Sequence, residues 1–195
     1  MRIATLILAA GSSTRMGKTK QILSFGNTTL LGKVIEATTE VSNNDIFCVL
    51  GANSEEISLS IQQYDINIIL NKEFETGLSS SIYAGIAVIS KLNFDAVIIV
   101  LGDQPNVSSN YLQHMMKISE ENKSKIIASN YNGRNGVPAL FPKKYFKDLL
   151  LLKGDKGASK LLNSDDFPIF TMKGDVDLFD VDTESDYNHL IRKKI

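Results

Sequence analysis

The sequence predicts an α/β protein: a mostly parallel sheet with helices on both faces. Short β-branched runs alternate with longer stretches of helical period, and the runs are continuously apolar, the pattern of strands covered on both sides. The 195 residues, 43% hydrophobic and 22% charged, suit one domain spanning residues 1–195 with a sizeable core.

Taken in order, residues 3–8 form the opening strand. This run is too short to cross a bilayer and lacks a basic region with a cleavage signal, so a soluble, cytoplasmic chain without membrane contact is expected. A helix over 30–39 follows Thr28 and Thr29 as caps, and a strand over 45–50 buries Cys48. Residues 54–62 read as a helix opened by a serine cap, and 66–70 as a strand. A helix over 79–90 puts Ile82, Ile86 and Ile89 on one face before the strand AVIIVL at 96–101. Each helix fits a right-handed crossover between parallel strands, which gives a three-layer, Rossmann-like arrangement. Strands at 126–129 and 139–141 flank NYNGRNGVP, whose asparagines and glycines predict a hairpin or small β insertion. Leu149 to Leu152 read as a buried helical turn or strand. The final DLFDVDTESDYNHLIRKK predicts a short strand, a capping threonine and an amphipathic helix. The chain has no internal repeat.

Twenty-one basic against 22 acidic residues leave no excess positive charge for nucleic acid or anionic lipid. A single cysteine excludes an intrachain disulfide and a cysteine metal cluster, and fits a reducing compartment.

In an open α/β sheet ligands collect at the carboxyl ends of strands, where the stretch AAGSSTRMGKTK lies. Gly11 and Gly17 permit close backbone approach, Ser12, Ser13 and Thr14 add hydroxyls, and Arg15, Lys18 and Lys20 bring positive charge to a polyphosphate. The stretch has neither Walker spacing nor a dinucleotide fingerprint, and a plain surface turn is the competing reading. At the same sheet edge, LGDQP ends a strongly apolar strand with Asp103, and a carboxylate beside a triphosphate points to Mg2+. A second carboxylate is expected from Asp180 or Asp182 in DVDTESD; the alternatives are a turn residue for Asp103 and helix caps for the pair. His114 and His189 fall on helices and are expected to be solvated or capping.

The motifs LAAGSSTRMGKTK, GLSSSIYAGI, LGDQP, GVPALF, GDKGA and DVDTESD, in this order, resemble the MobA-like nucleotidyltransferases nearly end to end, nearest the branch of molybdenum cofactor cytidylyltransferases. The resemblance implies transfer of CMP from CTP, or another NTP, to a phosphorylated acceptor such as molybdopterin, with pyrophosphate released. By it, Gly11, Ser13, Arg15 and Lys20 fall on the triphosphate signature, with Arg15, Lys20 and Asp103 catalytic. Asp103 and Asp182 fall on the Mg2+ positions, with Asp180 close enough to exchange roles, and Ser81 and Ala10 face the nucleotide. Relatives using GTP tend to read LAGG where this chain reads LAAG. Arg134 and Lys156 fall on acceptor segments, but Val137 stands where many relatives carry a polar or basic residue. Transfer to a sugar or alditol phosphate, or nucleotide binding without turnover in the maturation of a molybdenum enzyme client, stay open as alternatives.

Overall fold

The structure, a computed structural model, describes residues 1–42, 45–172 and 178–192. Its centre is a seven-stranded sheet. In chain order the elements are β1 (Ile3–Ala9), a two-stranded hairpin of β2 (Ser24–Phe25) and β3 (Thr28–Thr29), α1 (Leu30–Ser42), β4 (Ile46–Leu50), α2 (Ser54–Ser60) and β5 (Asn67–Leu70). Then come α3 (Leu78–Ile89), β6 (Ala96–Leu101), α4 (Ser109–Glu121), β7 (Ile126–Tyr131), β8 (Arg134–Pro142), α5 (Phe146–Leu150), α6 (Ser159–Leu162), β9 (Ile169–Thr171) and α7 (Glu184–Arg192). Across the sheet the order is β5-β4-β1-β6-β8-β7-β9. All neighbours run parallel except β8, which is antiparallel to β6 and β7.

The period of two along β1 explains the layers. Ala4, Leu6 and Leu8 point to one side and meet Ile82, Ile86 and Ile89 of α3, the face expected from spacing. Ile3, Ile7 and Ala9 point to the other, where Leu31, Val34 and Ile35 of α1 and Leu112 and Met115 of α4 cover them. Cys48 is fully buried in β4, and burial pushes its thiol up to about 12, so it is inert.

Several expectations change in detail. Thr29 does cap α1, its hydroxyl accepting from Gly32 N at 3.0 Å, whereas Thr28 turns to the Tyr64 hydroxyl. The serine cap of α2 is absent: Asn53 holds the cap position in the left-handed region, and its amide donates to Thr19 Oγ1. NYNGRNGVP is the hairpin between β7 and β8, inside the main sheet. Leu149 lies in α5, so the leucine run is a helical turn.

The short strand expected ahead of α7 does not form among the described residues 178–183. Val181 instead gives its N–H to Asp103 O at 3.1 Å and buries its side chain with Phe25, Leu30 and Leu190. That satellite core fastens the C-terminal segment beside β6. A reciprocal cap completes the arrangement: Asp186 Oδ2 accepts from Thr183 N at 2.7 Å, and Thr183 Oγ1 accepts from Asp186 N at 3.2 Å.

Candidate functional site

The loop after β1 is held by a side chain that carries no motif. Gln21, 3% exposed, donates through Nε2 to Ala9 O at 3.0 Å and Gly11 O at 2.9 Å. Its Oε1 accepts from Ser13 Oγ at 3.2 Å, and that hydroxyl accepts from Lys20 N at 3.2 Å. Ser13 itself sits at φ 54°, a strained conformation for a residue with a Cβ. A Cβ on Gly11 would meet nothing within 4 Å, so that glycine opens onto free space beside the pocket.

The charges converge on Lys20. Its ammonium lies 2.6 Å from Asp103 Oδ2 and 2.8 Å from Asp182 Oδ1. Burial works against the charged amine, but the two carboxylates outweigh it and hold the Lys20 pKa above its ordinary value. Arg15 Nη1 reaches Asp182 Oδ2 at 3.1 Å with its side chain 76% exposed, so it is tethered loosely and free to swing. Asp103 Oδ1 is buried without a partner, an acceptor waiting for a cation or donor.

Asp180 stands apart from this trio. Its Oδ1 accepts from Gln104 Nε2 at 2.6 Å. Packing around the pocket mouth, and secondarily the charges of Asp103 and Asp182, push its carboxyl up to about 6 although it is open to solvent.

Two pockets meet here. The first, about 300 Å³, is lined by Ala10, Gly11, Lys20, Ser81, Asp103 and Asp182 among others. The second, about 260 Å³, holds Tyr131, Arg134, Val137 and Lys156. Leu8, Leu78, Leu101 and Asp180 belong to both walls.

Of the residues singled out from sequence, Ala10, Gly11, Lys20, Ser81, Asp103 and Asp182 thus line one cavity, and Ser13 and Arg15 flank it through hydrogen bonds. Ser81 Oγ takes the Asn71 amide at 3.1 Å. Lys18 turns away toward Glu184 at 3.8 Å. His114 is exposed and His189 lies against the Phe179 ring; neither lines the pocket at Lys20 or the one at Tyr131. Sequence reasoning missed Gln21, Asn71, Gln104 and Tyr131. Gln21, adjacent to Lys20, and Gln104, adjacent to Asp103, each had a neighbour that could have drawn attention to it.

No group of three or more His, Cys, Asp or Glu side chains among the described residues could hold a metal unaided. The paired carboxylates and the unpartnered Asp103 Oδ1 nevertheless fit Mg2+, which takes one or two protein carboxylates and completes its shell with substrate phosphates and water.

A pocket at the carboxyl edge of a parallel sheet, with a glycine-opened loop and a cation held between carboxylates, defines a nucleotide-handling α/β protein. The chain belongs to the MobA-like NTP transferase domain family, whose pattern matches residues 5–168. It is therefore a nucleotidyltransferase by family. It is similar to the purine catabolism protein PucB of Bacillus subtilis, 26% identical over 96% of this chain and 95% of that one. Among solved structures it resembles the Rv0371c homologue from Mycobacterium sp. strain JC1, with a TM-score of 0.87 and 28% identity over 98% of this chain and 96% of that one. Rv0371c from Mycobacterium tuberculosis in complex with manganese shares the fold, with a TM-score of 0.81 and 24% identity over 98% and 99% of the two chains.

Proposed function

We propose that the protein transfers CMP from CTP to the phosphate of molybdopterin, releasing pyrophosphate, with Mg2+ as cofactor and a molybdenum enzyme as eventual client. One observation carries the transfer chemistry. Lys20 sits between Asp103 and Asp182 at a pocket whose wall continues into a second, cation-bearing pocket.

The two substrates divide between the pockets, the nucleotide beside Gly11 and Lys20, the acceptor beside Arg134 and Lys156. The acceptor's phosphate monoester has its second pKa at about 6 and is largely dianionic at neutral pH, so no protein base is needed. Its oxygen forms a bond to the α-phosphorus of CTP while the bond from that phosphorus to the β-phosphate oxygen breaks, and pyrophosphate carries away the electron pair. Lys20 and Arg15 neutralise that departing charge, and Gly11 lets the backbone approach it. Asp103 and Asp182 would hold Mg2+, which would supply Lewis-acid polarisation of the phosphate oxygens.

A second reading, transfer to a sugar or alditol phosphate, stays open because Val137 in the second pocket offers a pterin no polar or basic group. Mg2+-dependent pyrophosphate release, measured with CTP, GTP and ATP against molybdopterin and a set of sugar and alditol phosphates, separates them. CTP with molybdopterin is the expected pair. Turnover only with sugar or alditol phosphates replaces the acceptor, and pyrophosphate that never exceeds the protein concentration replaces the enzyme with a nucleotide-binding accessory protein.

A further inference from the structure

The two pockets are joined by one buried amide. Ala128 of β7 faces Ala139 of β8, yet Ser129 faces Gly136, so Val137 and Pro138 bulge out of the ladder. Side chains of β7 take over their carbonyls: Ser129 Oγ donates to Pro138 O at 2.6 Å, and the Tyr131 hydroxyl donates to Val137 O. The Tyr131 ring lies over Gly136, where a Cβ would come within 2.6 Å of it. The bulge is therefore shaped by Tyr131, and Tyr131 and Val137 both line the second pocket.

Tyr131 is fixed in turn by Gln104. Nε2 of Gln104 gives one hydrogen to the Tyr131 oxygen at 2.6 Å and the other to Asp180 Oδ1 at 2.6 Å. The side chain is 1% exposed and follows Asp103 directly in sequence. Its Oε1 is buried with no partner. An amide half unpaired in the interior is unfavourable, so a leucine would serve better if the position only filled space. What the amide uniquely provides is the link from the carboxyl end of β6 to the acceptor bulge.

We propose that Gln104 is a positioning residue for the phosphorylated acceptor, holding the Tyr131–Val137 wall and Asp180 in register with the Asp103–Lys20–Asp182 centre. This rests on the reading that the second pocket takes the acceptor. Gln104 touches neither pocket's contents and acts through Tyr131 and Asp180.

The test uses the full chain with CTP, Mg2+ and molybdopterin, or whichever phosphate monoester of the panel above the wild type turns over. Gln104→Leu and Tyr131→Phe each raise the acceptor KM about tenfold, and in Tyr131→Phe the CTP KM stays within about twofold, because the Gln104–Tyr131 link serves the acceptor wall alone, whereas Asp180 borders both pockets. The double variant is no worse than the more severe single one, since both cut the same chain of contacts. Tyr131→Phe, which keeps the ring over Gly136, carries the test should Gln104→Leu fold poorly. A CTP KM that rises in step with the acceptor KM in Tyr131→Phe, or an acceptor KM unchanged in both variants, overturns the Gln104 role and leaves the functional reading standing. Absence of acceptor-dependent turnover in the wild type overturns both.

Discussion

At the residue scale, the charges around Lys20 rank the acidic side chains. Asp103 is the less exposed of the two carboxylates on the ammonium, and it alone keeps a buried oxygen free. Asp103→Ala is expected to lower kcat by about 100- to 1000-fold, the scale of one lost electrostatic contact to the transferring group, with Asp182→Ala close behind and Asp180→Ala milder. Steady-state pyrophosphate release at saturating Mg2+ gives that order, and a milder Asp182 than Asp180 would reverse the choice of second ligand. Asp180 offers a separate test through pH. Its carboxyl is raised to about 6 in the folded protein, against about 3.9 for an unfolded aspartate, so the folded state binds the extra proton between those values. Stability then falls as pH rises through that window, and the penalty is complete above it. Asp180→Asn removes it, so the variant should melt higher than wild type at pH 8 and lose that advantage by pH 4. Ala10, 5% exposed in the pocket wall, bears on nucleotide choice. One methyl contributes ~1–3 kcal/mol, so Ala10→Gly is expected to narrow a CTP preference by about tenfold or more, chiefly by raising kcat/KM for GTP. An unchanged ratio removes Ala10 as selector. The charged residues of this site were legible in sequence because glycines, hydroxyls and cations in one loop, and an aspartate ending an apolar strand, are unusual companions. The glutamines were not. An amide that bonds backbone carbonyls, as Gln21 does, leaves no spacing by which to find it.

At the element scale, the parallel strands β1, β4 and β6 could be read from the chain because each is a nearly unbroken, buried apolar run, and α3 because its isoleucines repeat at helical spacing. β9 escaped notice: Ile169–Thr171 is three residues long and half-buried throughout, too little for any periodicity. The misread segment before α7 failed for the opposite reason. Its apolar residues serve as anchors, with Val181 and Phe179 packed into the satellite core that α7 completes with Leu190, while the Val181 N–H meets Asp103 rather than a strand. This arrangement makes α7 responsible for where Asp182 sits. Asp186 Oδ2 also accepts from Asp182 N at 3.2 Å, so the helix cap and the site share one carboxylate. Thr183→Ala should cost about 1 kcal/mol of stability, the usual loss for a cap, seen as a melting point about 2–4 °C lower. It should also reduce turnover several-fold with the CTP KM raised, whereas a variant that loses stability and keeps wild-type kinetics would show the cap to be independent of Asp182.

At the scale of the whole molecule, β8, the one strand that runs antiparallel in the main sheet among the described residues, carries the bulge that shapes the second pocket, and the parallel strands β1 and β6 supply walls of the first. Ligand linkage reports on the assembled site. CTP at about 100 times its Kd stabilises by ~2.7 kcal/mol, or about 5–10 °C in melting temperature for a chain of this size. That shift is expected with Mg2+ present, and it should shrink sharply when EDTA is added or in Asp103→Ala. Equal shifts with and without metal would mean that the carboxylates do not take part in nucleotide binding. The position of Lys20 has a consequence for how the idle protein behaves. Its ammonium already satisfies the carboxylates, so a free metal ion must compete with a tethered rival that is present at every moment. Free nucleotide faces a lysine whose charge is already spoken for. Only the pair arriving together offers each party a replacement, the metal for the carboxylates and the phosphates for the ammonium. On the proposed function, the centre would work as a logical AND, blind to either signal alone and responsive to the magnesium–nucleotide complex.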